Sequence, residues 1–445
     1  MSSDTLSVIA NQQKLGTVNY HKNRLNFRYA KEWQASSIAF PLSVSMPLSK
    51  NEHSHETIEA FLWGLLPDNQ TVLDQWGKQF QVSPRNAFRL IEHVGEDCAG
   101  AIQFINEEKE SNLLNQLHNK QVQWLNDSEL NERIRLVLEN HASQRISTDL
   151  GQFSLAGAQA KIALYRSPET GRWGIPRGLT PTTHILKPAP ANFPGFVENE
   201  HFCLSLAAAL GINTAHSNVI KADGIPVIVV TRYDRHLIGG KYIRIHQEDL
   251  CQAQAIYPEL KYQSDGGPSV EDIANTIWEV STDALTDILS FADALILNFL
   301  ISGTDAHAKN FSLLLASNNQ VRLAPLYDIA SSLPYPRQIS PHKAKLAMKI
   351  GSEYHIKKIN KLHWEACAKK LRLSPTTLIE RLHDRAQKLE TQAPTIAQKL
   401  NQQGLEHSIV HTLSESISKR ASKPTEAPLL TRYLQPIKRL IKCCI

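Results

Sequence analysis

Apolar and polar positions alternate in short runs over roughly the first hundred residues, and the spacing lengthens to a helical one toward the C-terminus. Leu42-Ser43-Val44-Ser45-Met46 has the period-two pattern of a strand, and 57–63 the three-to-four spacing of a helix. Residues 108–148 are polar and rich in Asn, Gln and Glu, a connecting region whose clearest surface helix covers 128–140. Short strands follow at 162–165 and 183–187, then a helix over 198–210 closed by Gly211, then an apolar run at 226–230 that reads as a buried strand. From about 269 to 402 the pattern is mostly helical, with one hairpin-like break at 311–327. The pattern predicts an α+β chain in five segments: an N-terminal α/β subdomain (1–107), a connecting helical segment (108–150), a strand-rich lobe (151–235), a helical lobe (236–402) and a basic tail (403–445).

Composition changes this picture little. The 445 residues suffice for two or three domains, and 42% hydrophobic with 20% charged residues describes an ordinary folded protein. A net charge of +5, dispersed along the chain, suits a nucleotide, an acidic partner or DNA and selects none of them. Six scattered cysteines lack zinc-ligand spacing, and no secretory leader is evident, so a reducing, cytoplasmic setting is expected. The most apolar stretch, 284–301, is interrupted by Thr286, Asp287, Asp293 and Asn298 and reads as a buried helix, not a membrane span.

The chemistry gathers after that helix. Asp305 and Asn310 stand in a D-x-x-x-x-N spacing, and the hairpin that follows returns the chain at Tyr327-Asp328. Phosphoryl transfer needs such a set: one carboxylate to orient and deprotonate a hydroxyl, an amide oxygen and a second carboxylate to hold Mg²⁺ on ATP. The blander alternative has Asp305 capping a turn and Asn310 satisfying a loop carbonyl. His307 suits either a phosphate contact or a hydrogen-bonding spacer.

Upstream, residues 151–161 are rich in small side chains that let backbone N–H groups approach phosphates, although neither a Walker A loop nor G-x-G-x-x-G is present. Lys187 ends a strand, and the next helix carries Glu200, which fits an ion pair that positions phosphates; a solvated lysine is the alternative. Thr231, Arg232 and Tyr233 are a candidate hinge for adenine, while Asp234 and Arg235 equally suit a structural ion pair.

Taken together, these residues resemble the HipA toxins, serine/threonine kinases of bacterial toxin–antitoxin systems. The resemblance rests on P-L-S-V-S-M-P-L (41–48), F-L-W-G-L-L-P-D (61–68), V-G-E-D-C-A-G-A (94–101), F-S-L-A-G-A-Q-A-K (153–161), P-T-T-H-I-L-K (181–187), Q-E-D-L-C-Q (247–252), Y-Q-S-D-G-G-P (262–268), G-T-D-A-H-A-K-N-F-S (303–312), L-Y-D-I (326–329) and K-L-A-M (345–348). It implies a two-lobed protein-kinase-like fold. Asp305 would be the catalytic base, with Asn310 and Asp328 as metal ligands. ATP would meet Ala156, Gly157, Ala158, Gln159, Ala160 and Lys161 of the loop, Lys187, the 231–233 hinge, His307, Ala308, Lys309 and Asn310, and Tyr327 and Asp328. Ser154 matches the family's autophosphorylated serine. Two positions depart from the pattern: Ala160 replaces an acidic residue, and Thr231 a glutamate.

The implied partners are a protein substrate such as an aminoacyl-tRNA synthetase, a small helix-turn-helix antitoxin and, through it, operator DNA. A co-repressor with secondary kinase activity is the competing reading, and a small-molecule kinase would share the same acid–amide–acid chemistry. The tail at 429–445, which alternates Arg432, Lys438, Arg439 and Lys442 with apolar residues, does not match the family well.

Overall fold

Five antiparallel strands start the chain: β1 (Thr5–Ala10), β2 (Gln13–His21), β3 (Arg24–Tyr29), β4 (Glu52–His53) and β5 (Ile102–Asn106), in the order β4-β3-β2-β1-β5. The computed structural model describes residues 4–107, 110, 121–140, 157, 159–190 and 192–424. The first two hairpins close through Asn11-Gln12 and Lys22-Asn23, each with both residues at positive φ, as the tightest strand turns require. Between β4 and β5 lie α1 (His55–Leu65), α2 (Gln70–Phe80) and α3 (Ala87–Val94). The side chains of Asn69 and Asn86 cap the second and third of these helices.

The strand expected at 42–46 does not form. The segment is a tight turn closed by the Met46 N–H on the Ser43 carbonyl. Tertiary bonds outbid the local pattern: the Val44 N–H donates to Glu248 Oε1 at 2.8 Å, and the Ser43 and Ser45 hydroxyls reach the Gln252 carbonyl.

The second sheet has six antiparallel strands in the order β10-β11-β9-β7-β8-β6, built from β6 (Gln121–Trp124), β7 (Ile162–Arg166), β8 (Trp173–Arg177), β9 (His184–Pro188), β10 (Ser217–Ala222) and β11 (Ile225–Thr231). The polar connection thus supplies this sheet's edge strand as well as a helix, α4 (Asp127–Glu139). That helix starts at an Asn126/Glu129 capping box and buries Leu130, Ile134 and Val137 along one face. Helix α5 (Phe196–Ala209) begins two residues earlier than its sequence pattern implied.

The remaining chain forms the helical lobe. A hairpin of β12 (Arg235–Ile238) and β13 (Lys241–Arg244) leads into a three-stranded sheet of β14 (His246–Asp249), β15 (Ser312–Ala316) and β16 (Gln320–Leu323). Around it stand α6 (Val270–Val280), α7 (Ala284–Ile301), α8 (Lys361–Lys370), α9 (Pro375–Gln402) and α10 (Ser408–Ala421). Helix α7 is long and apolar enough to cross a membrane, but 72% of that stretch is buried inside the protein, where it forms the lobe's central element. A second hairpin, β17 (Lys345–Ile350) with β18 (Glu353–His355), interrupts the helical run. Helix α10 falls within the segment read as a tail. Its Ile409, Val410, Leu413 and Ile417 form one apolar face buried against the lobe, so 408–421 belongs to the packed body. Residues 425–445 lie outside those described.

The N-terminal domain and the helical lobe share one continuous core, whereas the six-stranded sheet and α4 have a smaller core of their own. Charge joins the three parts. Asp97 of the N-terminal domain sits within 3.1 Å of Arg235 and 3.0 Å of Arg244, and receives the Thr182 hydroxyl at 2.6 Å. Asp234 pairs with Arg232 at 2.8 Å and Arg235 at 2.9 Å. Burial alone would raise the Asp97 carboxyl, but the three guanidiniums hold it far below the ordinary carboxylate range. Asp97→Asn leaves those buried cations short of a partner and lowers stability by about 3–5 kcal/mol, measured by urea unfolding.

Candidate active site

Helix α7 ends at Ser302, whose left-handed backbone (φ 58°) turns the chain abruptly into Gly303. A Cβ at Gly303 would stand too close to Asn298 Oδ1, so a larger residue there would force that side chain to move. The loop that follows is folded around the Asp305 carbonyl, which accepts both the His307 N–H and the Asn310 side-chain amide at 2.8 Å. The amide nitrogen of Asn310 thus satisfies a loop carbonyl, as the bland reading expected, and leaves its oxygen as the atom able to meet a ligand. The Asp305 carboxylate accepts a short hydrogen bond from Tyr262. Burial, then the neighbouring Asp328, raise the Asp305 carboxyl above its usual value, and the Tyr262 bond opposes them.

Strands β15 and β16 return the chain, with Leu313 opposite Leu323. The Leu326 N–H then bonds to the Asn213 carbonyl at 2.9 Å, and the Leu326 carbonyl accepts the Ala215 N–H at 2.7 Å. The Tyr327 hydroxyl bonds to Ser312 at 2.6 Å and to the Lys309 carbonyl at 2.7 Å. Asp328 itself takes a left-handed conformation (φ 58°), which a short polar side chain tolerates and a β-branched one does not.

Lys187 meets Asp328 from the second sheet. Its ammonium lies 2.7 Å from Glu200 on α5 and 2.7 Å from Asp328. The pair expected from sequence is present, and a second carboxylate has joined it. Burial alone would lower the Lys187 ammonium, yet the two anions raise it above its ordinary value. Burial would likewise raise Asp328, but Lys187 and Lys161 hold it well below the carboxylate range. Glu200 is raised by burial in spite of Lys187, and its second oxygen has no hydrogen-bond partner among the described residues. Burial, then the Lys187 charge, bring Lys161 down to about 8.

The other expected positions are more mixed. Gly157, Gln159, Ala160 and Lys161 are described, and Gly157 (φ 100°) comes so near Lys161 Nζ that a Cβ there would stand 2.5 Å from it. Ala156, Ala158 and Ser154 lie outside the described residues. His307 is buried and neutral, brought down to about 4 by burial and then by the Lys261 charge; its ring stands edge-on to Tyr262 at 4.9 Å. Ala308 is fully buried.

Two side chains point away from the site. The buried Lys309 ammonium pairs with Asp68 of the N-terminal domain at 2.6 Å. The Arg232 guanidinium is committed to Asp234 and Thr182, so only its backbone remains for a hinge. Even there the Thr231 and Arg232 N–H groups already bond to the His216 and Thr183 carbonyls. Tyr233 lies 5.7 Å from Tyr327, ring to ring, against that hinge. Sequence reasoning missed Tyr262, Lys261 and Asp68, although Tyr262 and Asp68 fall inside quoted motifs.

Comparison with known proteins now bears on this geometry. Family models for a HipA N-terminal domain and a HipA-like C-terminal domain match residues 6–105 and 153–393. The chain belongs to the HipA family. It is 37% identical over 347 residues to the putative kinase Y4mE of Sinorhizobium fredii, covering 78% of this chain and 80% of that one. It is 30% identical over 338 residues to the serine/threonine-protein kinase toxin HipA of Shewanella oneidensis, covering 73% of each. The HipA chain solved in the Shewanella oneidensis HipA, HipB and operator DNA complex superposes with a TM-score of 0.78 at 24% identity, over 94% of this chain and 97% of that one. The protein is therefore a HipA-type protein kinase with the two-lobed α+β fold.

Tyr262 lowers the Asp305 carboxyl more than Lys261 does, so Tyr262→Phe is expected to raise that carboxyl and, with Asp305 as the base, to move the acid limb of the pH–kcat/KM profile to higher pH. A pH–rate series on the two proteins checks this.

Proposed function

We propose that this chain is an ATP- and Mg²⁺-dependent serine/threonine protein kinase toxin in which Asp305 is the base and Asn310 and Asp328 hold the metal. The observation that carries the reading is the Lys187 ammonium, held at 2.7 Å from both Glu200 and Asp328 at the seam between sheet and helical lobe. The residues fit the groups. Asn310 Oδ1 and the 40% exposed Asp328 carboxylate are hard oxygen donors suited to Mg²⁺. The amide nitrogen of Gln159 and the Nδ1 of His307, buried and without a partner among the described residues, fit a polyanion beside them. Bound Mg²⁺ would neutralise phosphate charge during transfer.

Within this scheme Lys187 and Lys161 attract the phosphates. The backbone of Thr231 to Tyr233, with Tyr327 alongside, borders the adenine. Asp305 takes the proton of the attacking hydroxyl, and Tyr262 holds its carboxylate in place. Phosphate on Ser154 would add about two negative charges to the segment that leads into the phosphate loop and switch the enzyme off.

The family suggests a protein substrate from translation, such as an aminoacyl-tRNA synthetase, with a helix-turn-helix antitoxin as the regulator. The Shewanella protein was solved with HipB and operator DNA, which supports an antitoxin and, through it, DNA as partners here. A cytoplasmic setting agrees with the four buried, free cysteines among the described residues. Incubation with labelled Mg-ATP should place phosphate on Ser154. Asp305→Ala should reduce that labelling at least about 100-fold. Absence of label on the wild-type chain, or undiminished label on the variant, overturns the reading.

A further inference from the structure

We propose that Asp68, carried by the N-terminal domain, is a positioning residue of the kinase reaction, bracing the catalytic loop through Lys309 and the base Asp305 through Lys261 and Tyr262. The inference rests on the kinase reading above and adds a residue from outside both lobes. Asp68 lies between α1 and α2, directly before the Asn69 that caps α2, and its side chain is only 10% exposed. Each carboxylate oxygen takes one lysine: Oδ1 the Lys309 ammonium at 2.6 Å, Oδ2 the Lys261 ammonium at 2.7 Å.

Both lysines lead to the reacting groups within one residue. Lys309 adjoins Asn310, and its carbonyl accepts the Tyr327 hydroxyl at 2.7 Å, one residue before Asp328. Lys261 adjoins Tyr262, whose phenol bonds to Asp305, and the Lys261 carbonyl accepts the Ala308 N–H at 3.3 Å. A single carboxylate thus fixes both ends of the D-x-x-x-x-N loop. The seat of Asp68 is itself firm, because α1 is held against the helical lobe by Gln252 Nε2 on the Phe61 carbonyl at 2.9 Å. Burial opposes ionisation of Asp68, and the Lys309 and Lys261 charges overcome it, bringing the carboxyl down to about 2. The brace is therefore charged throughout the working pH range. Misplacing a catalytic group by about 1 Å is enough to cost on the order of 100-fold in rate.

The test uses the full chain, with Ser154 labelling and steady-state kinetics as readouts. Asp68→Asn is expected to lower kcat roughly 10- to 100-fold, with less than about threefold change in KM for ATP. Asp68→Glu should restore most of the loss. The split between kcat and KM, together with rescue by Asp68→Glu, separates positioning from general destabilisation. A wild-type kcat in Asp68→Asn overturns the proposal. If Asp68→Asn does not fold, an unchanged kcat in Lys261→Met overturns it instead. A wild-type chain that takes no label overturns the kinase reading; a labelled wild type with an unaffected Asp68→Asn overturns only the role of Asp68.

Discussion

A buried ammonium cannot stand alone, and the arrangement of this protein around Lys187 follows from that constraint. Removing such a cation from water costs several kcal/mol, recovered only when anions and hydrogen bonds surround it. Glu200 supplies one anion from α5, and Asp328 supplies the other from the far side of the lobe seam. The lysine therefore fastens sheet to helix and sheet to helical lobe with one charge. The triad also leaves polar capacity unused. Glu200 keeps an oxygen with no partner among the described residues and Asp328 is partly exposed, so one cation faces two carboxylates whose oxygens are not all saturated in bonds.

The N-terminal domain belongs to the same construction. Its core runs without a break into that of the helical lobe, and two of its aspartates reach far into the kinase part. Asp97 gathers Arg235 and Arg244, while Asp68 gathers Lys261 and Lys309. Each is a buried acid between cations, and removing either strands like charges in a region of low dielectric. The geometry makes this domain a third wall of the kinase.

The sequence revealed most where one local rule dominated. Helix α7, the strands bearing Ile162 and Lys187, and the hairpin returning to Asp328 all announce themselves by period and turn residues. The Lys187–Glu200 pair was legible because strand lysine and helix glutamate lie 13 residues apart in one supersecondary unit. The partner of Lys309 lies 241 residues away, and no periodicity records such a contact. Its place inside the Asp305–Asn310 segment suggested an ATP contact, whereas the side chain turns inward to Asp68. The turn at 42–46 was misread for a related reason: its alternation is real, but Glu248 and Gln252 claim its polar groups. In α10 the spacing of Ile409, Val410, Leu413 and Ile417 was sufficient evidence for a packed helix, masked by the basic residues that follow.

The separate core beneath the six-stranded sheet has a further consequence. Leu130, Ile134, Ile162, Leu186 and Val229 pack among themselves on one face of the sheet, while Ile228 and Val230 of β11 turn to the other face and join the larger core. Cooperative units of folding follow contiguous apolar cores. The strands that pack only on α4 can thus loosen together, while β11 stays anchored to the larger core. In amide exchange, β7 and β8 would share one opening free energy, lower than that of α7. A ligand held between the two cores would close that gap, and its occupancy could be read from the exchange of strands it never touches.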